Sequence, residues 1–184
     1  MVSIRPERGG FMRPFGCGWF IREFLAGRAP EGAPAIDPDV GAPQQDIKFA
    51  YKEALYRAMA RDRASREISA RVLRGEDLTE EQAARIERYH YERIPAKITR
   101  MRYHSFLVYF GMLKRLGWVE ETGETEPSAF QDNYPAGPPR RFYRLTKAGR
   151  EAPDEAWSNP LFTLYPEIAA AASDRGGGRG SAGQ

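Results

Sequence analysis

Proline and glycine decide how much of this chain can be regular structure. The 14 Pro and 18 Gly crowd three places: the first 43 residues, the stretch 127–139, and the last ten positions. Proline removes a backbone donor and glycine raises the entropy lost on ordering, so long elements are confined to what lies between. That leaves on the order of 120 residues for a folded unit, the size of one ordinary domain.

Within those limits the pattern is mainly helical. Residue 46 is an Asp suited to cap a helix, and Ile47, Tyr51, Leu55, Ala58 and Met59 follow on one face, with Ile68 and Val72 resuming it. The charged run 61–67 interrupts this face, and Gly75 is a natural stop. Thr79-Glu-Glu-Gln82 is a capping box that opens a second helix, continued by Ala83, Ile86, His90 and Ile94. Pro95 restrains Ile94 to an extended or turn conformation. A third helix runs from about residue 96 or 99 to Leu116, with Met101, Val108, Tyr109, Met112, Leu113 and Leu116 as its apolar face, and Gly117 ends it.

The period then changes. Residues 118–120 read as a short strand, and Arg141-Phe-Tyr-Arg-Leu145 as its antiparallel partner, with Tyr143 and Leu145 on one face and Phe142 and Arg144 on the other. Thr146 caps a short helical turn. The fold class expected is therefore mainly α with a small antiparallel β-hairpin. Five segments are expected: an extended arm with a short apolar helix (1–45), a long helix (46–75), a helix-turn-helix unit with its hairpin (76–152), an apolar, proline-broken segment that packs back on the core (153–172), and a disordered tail (173–184). The aromatic island Gly18-Trp-Phe-Ile-Arg-Glu-Phe-Leu25 is expected as a packing anchor.

Leu113, Leu116, Gly117, Trp118 and Val119, followed by Tyr143, Leu145, Thr146 and Gly149, carry a resemblance. The order helix, turn, helix, Leu-Gly-Trp-Val, hairpin, Tyr-x-Leu-Thr-x-x-Gly resembles winged helix-turn-helix DNA-binding proteins, most of all the multidrug- and phenolic-acid-responsive bacterial regulators. It covers roughly residues 79–150. It implies a winged helix in which the helix ending at Leu116 is the recognition helix and 118–145 the wing. Two features depart from the pattern. The wing loop, 121–140, is long and acidic in its first half, and a long helix precedes the unit.

The net charge is only +3, but charge is laid down in blocks. Cations gather at 57–74, 93–115 and 140–150, and acids at 76–92 and 120–132. Between Lys97 and Gly117 there is no acidic residue. The N-terminal end of a recognition helix meets base edges, which here singles out Lys97, Thr99, Arg100, Arg102, Tyr103 and Ser105. Arginine suits guanine through its planar fork, and Lys and Ser suit phosphate. Neighbours diverge by about 100° round a helix, so at most two of Arg100, Arg102 and His104 reach bases. Arg140, Arg141 and Arg144 form a second basic group where the wing meets its strand. Two readings of it stand: phosphate contact, or compensation of Glu120, Glu121 and Glu124 across the hairpin.

Nothing in the pattern asks for catalysis. His90 and His104 lie on different helices and Cys17 lies in the arm. Metal-ligand spacing, a phosphate-cradling loop and a nucleophile elbow are lacking, so no enzyme activity, cofactor or metal is expected. One cysteine excludes an intramolecular disulfide, no apolar run reaches the length of a membrane span, and no signal peptide is evident, so a cytoplasmic protein is expected. The heavy use of Arg, Ala, Gly and Pro suits a prokaryotic, GC-rich genome. The expected function is DNA binding, as a transcriptional regulator or mobile-element accessory factor with double-stranded DNA as partner. The alternative is an architectural subunit that uses the winged helix as a protein contact. In either case residues 46–74 and the arm offer surface for a homodimer or a larger assembly.

Overall fold

A computed structural model describes residues 14–30, 32–96, 103–128, 137–168 and 170. The elements are α1 (Cys17–Leu25), β1 (Ala42–Pro43), α2 (Gln44–Leu73), α3 (Glu80–Glu92), α4 (Tyr103–Arg115), β2 (Val119–Glu126), β3 (Arg140–Leu145), α5 (Lys147–Glu151), α6 (Asp154–Ser158) and α7 (Pro160–Leu164). The protein is mainly helical with one small antiparallel sheet of order β1-β3-β2.

One hydrophobic core runs through most of these elements. Phe20, Ile21, Phe24 and Leu25 of α1 are fully buried, as are Ile47, Tyr51 and Leu55 of α2 and Phe106, Phe110 and Leu113 of α4. Trp118, Val119, Tyr143 and Leu145 supply the sheet's share, and Trp157 of α6 closes the same cluster. The aromatic island of the arm is thus a packing anchor, as its composition implies: Phe20 stacks on Phe24 with centroids 5.5 Å apart and meets Tyr51 at 5.3 Å. The proline-broken segment also packs on the core. The Trp157 indole N–H donates to the Gly149 carbonyl at 3.0 Å, and the Tyr109 hydroxyl donates to the Trp157 carbonyl at 3.2 Å.

α2 has two regimes. Its first half buries Ile47, Ala50, Tyr51, Ala54 and Leu55 against the core. Residues 56–73 extend about 27 Å further at 1.5 Å per residue, and this outer part packs against α3. Ala60, Ala64 and Ile86 are buried there, outside the main core. Polar side chains bind the two helices together. Tyr91 donates to the Glu53 carboxylate at 2.8 Å, Arg61 pairs with Glu87 at 3.3 Å, and His90 Nε2 lies 2.8 Å from Glu67. The hydrogen bond to His90 holds the Glu67 carboxyl below the usual range, while burial and Glu53 push the Tyr91 phenol up.

Local chemistry sets the ends. Thr79 and Gln82 form the capping box, each side chain bonding the other's backbone N–H. α4 ends where Gly117 turns to φ +68°, with the Gly117 N–H on the Lys114 carbonyl and the Trp118 N–H on that of Leu113. These two bonds satisfy carbonyls that a helix end leaves open. Thr146 caps α5 through the Gly149 N–H at 3.0 Å.

Several expectations are corrected. The cap of α2 is Pro43 rather than Asp46: Pro43 is extended, the helix starts at Gln44, and Asp46 lies in its first turn, paired with Arg140. Val72 is 55% exposed, because the outer part of α2 turns its buried face to α3. The core face of α4 is Phe106, Phe110 and Leu113, spaced i, i+4 and i+7, while Val108 is 50% exposed. β2 is eight residues long and takes in the acidic stretch to Glu126, with a register break between Glu121 and Thr125. A third strand, β1, pairs Ala42 with Tyr143 and Pro43 with Phe142. It is entered through Gly41 at φ +78°, where any Cβ would collide with the Tyr143 carbonyl.

Candidate nucleic-acid interface

Packing fixes α4 by Phe106, Phe110 and Leu113, with Tyr109 beneath α6, and one face of its first turns is left to solvent. His104, Ser105, Leu107 and Val108 are exposed in the first two turns. Tyr103 is the first residue of the helix. Burial pushes the Tyr109 phenol up, in keeping with its place beneath α6. At the other end Arg115 donates to the Tyr165 hydroxyl at 2.9 Å, which anchors the chain after α7 to α4. Lys97, Thr99, Arg100 and Arg102 lie outside the described residues, in the segment that leads into α4.

The hairpin places each of its arginines beside a carboxylate. Arg144 pairs with Glu120 at 2.9 Å, and Arg141 with Glu121 at 3.0 Å. The first pair is directly opposed across β2 and β3, and the second sits one diagonal away. Arg140, only 22% exposed, lies between Glu126 at 2.6 Å and Asp46 of α2. Tyr143 adds a hydrogen bond to Glu121 at 3.2 Å. The arginines of the second basic group therefore compensate the acidic strand opposite, and Arg140 also ties the hairpin to α2. Four carboxylates (Glu120, Glu121, Glu124, Glu126) stand against three guanidinium groups along β2 and β3, so the hairpin itself is not a cationic surface.

A groove of about 620 Å³ lies at the base of the hairpin, where the first turns of α2 meet β3. Lys48, Phe49, Arg140, Arg141 and Tyr143 line it, with Pro138 and Pro139 at its rim. Phe49 is 53% exposed beside Lys48, whose ammonium is 5.8 Å from the ring centroid.

Sequence reasoning missed this neighbourhood, because the ion pair of Asp46 with Arg140 joins residues far apart in the chain. Among the described residues no helix is long and apolar enough to cross a membrane. Comparison with family models, characterised proteins and solved structures finds no significant match.

Proposed function

We propose that this chain is a winged-helix protein that binds duplex DNA through α4 and the segment leading into it. The observation that carries the reading is architectural. α1, the first half of α2, and α4 pack on a sheet of order β1-β3-β2, and α4 feeds straight into the β2–β3 hairpin. This order supports a winged-helix frame, with the α2–α3 pair lengthening its middle. In such a frame α4 is the recognition helix, and its exposed first turns belong in the major groove. Arg100 and Arg102 then read bases, Lys97, Thr99 and Ser105 hold phosphate, and Tyr103 serves a thymine methyl.

The wing has a reduced part in this reading. A phosphate approaching Arg140, Arg141 or Arg144 meets guanidinium groups already matched by Asp46, Glu126, Glu121 and Glu120. Affinity should therefore rest on residues 97–105. Regulation of transcription follows as the role, in a cytoplasmic setting, with no cofactor. For a second copy of the chain, α2 leaves its last turn, where Val72 and Leu73 are exposed.

The test is selection from random duplex DNA followed by binding of the selected site to wild type and to Arg100→Ala/Arg102→Ala. Each arginine that reads a base should cost about 1–3 kcal/mol of specific binding when it is replaced. A second reading, a protein-contact module within an assembly, draws on exposed Leu107 and Val108 and on the acidic hairpin. It predicts that selection enriches no sequence and that the double variant binds DNA like wild type.

A further inference from the structure

We infer that the solvent face of α2 is a docking track for single-stranded nucleic acid, separate from the proposed duplex-binding surface at α4. At 100° per residue, Lys48, Lys52, Tyr56, Met59, Arg63 and Arg66 fall within about 80° of one another round the helix. The core-facing side chains Ile47, Ala50 and Ala54 lie on the other side, Tyr51 and Leu55 are buried along one border of the track, and Ala60 and Ala64 turn toward α3 along the other. The track spans about 27 Å from Lys48 to Arg66.

Its electrostatics are one-sided. The carboxylates of α2 are committed elsewhere: Asp46 to Arg140, Glu53 to Tyr91 and Arg57, Glu67 to His90 and Arg71. Asp62 borders the track and pairs with Arg66, which stays 78% exposed. Lys52 is exposed, and neither it nor Arg63 has an ion-pair partner among the described residues.

Aromatic rings are interleaved with these cations. Lys52 stands 5.7 Å over the Tyr56 ring, and Phe49, half exposed, flanks Lys48 at the N-terminal end. There the track opens into the groove lined by Arg141 and Tyr143. Cations that follow a backbone, with exposed rings on which bases stack, are how single strands are held without sequence preference. A duplex hides its base faces and gives an exposed Phe49 nothing to stack on, so the single strand is the partner this surface fits.

The test uses the full chain and a fluorescein-labelled oligothymidylate of roughly 15 nucleotides, with a labelled duplex of equal length as the second arm. Lys52→Glu/Arg63→Glu should weaken the single strand tenfold or more and leave the duplex unchanged. Phe49→Ala should weaken it about fivefold or more, as removal of one stacking platform does. Should charge reversal lower the melting temperature, Lys52→Gln/Arg63→Gln supplies the same comparison at neutral charge. Wild-type affinity in these variants overturns the inference, as does a loss confined to the duplex. The Arg100→Ala/Arg102→Ala protein separates the two proposals: it should keep the oligothymidylate while losing the duplex.

Discussion

The indole rings of Trp118 and Trp157 lie against each other, with centroids 4.8 Å apart and planes inclined by 37°. One opens the hairpin and the other lies in α6, so the pair joins the hairpin to the segment after it. Trp157 is 1% exposed and its N–H is satisfied by Gly149. Trp157→Ala and Trp118→Ala should each cost about 3–5 kcal/mol in urea unfolding, as large-to-small core changes do. A chain ending at residue 152 should be destabilised at least as much, because it also exposes the Gly149 carbonyl.

The arm should be inseparable from the fold. Phe20, Ile21, Phe24 and Leu25 sit in the same cluster as Phe106 and Phe110. A chain lacking residues 1–26 should therefore lose cooperative thermal unfolding by circular dichroism. So should one lacking 1–75, because it also loses Ile47, Tyr51 and Leu55. A sharp, monomeric transition in either would place the core elsewhere.

The hairpin arginines should divide by burial. Arg140 is 22% exposed between two carboxylates, and Arg140→Met would leave Asp46 and Glu126 facing each other without a cation. A loss of about 1–3 kcal/mol is expected in urea unfolding. Arg141 is 62% exposed in a single pair, and Arg141→Ala should stay within about 0.5 kcal/mol of wild type.

The α2–α3 pair should weaken in acid. The Glu67 carboxyl is held below its ordinary value, first by the hydrogen bond to His90, with Arg71 adding to it. A group whose folded value is depressed stabilises fully above its unfolded value, about 4.3 for Glu, and the gain fades as pH falls through the folded one. The melting-temperature gap between wild type and Glu67→Gln should thus be complete above about pH 5 and close as pH falls through the depressed folded value. A gap that persists undiminished in strong acid would assign it to packing.

Short-range chemistry was the legible part of this fold. The capping box at Thr79 and Gln82, the stop at Gly117, the cap at Thr146 and the Tyr143/Leu145 face of β3 each depend on residues within a few positions of one another. The anchoring role of residues 18–25 was also readable, since so many rings cannot stay in water. What escaped depends on distant partners. β1 is two residues long, and its place as a strand comes from Tyr143, about a hundred positions on. Val108 and Phe106 are both apolar, and only the position of α1 and the sheet decides that Phe106 goes inside. At the candidate site, the acid-free stretch from Lys97 to Gly117 was visible at once. The matching of Arg140 by Asp46 was not, because it needed the hairpin and α2 in place.

Residues 97–105, and not the hairpin, should carry duplex binding. The most direct measurement is the salt dependence of affinity for the selected duplex, for wild type, Arg100→Ala/Arg102→Ala and Arg141→Ala. With Lys97 at the phosphates and Arg100 and Arg102 in the groove, about three cationic charges displace counterions, so log affinity should fall with log salt at a slope of about −3. The slope should drop toward about −1 in the double variant and stay unchanged in Arg141→Ala. A slope that is shallow in wild type, or one that Arg141→Ala reduces while the double variant leaves it intact, would contradict this assignment.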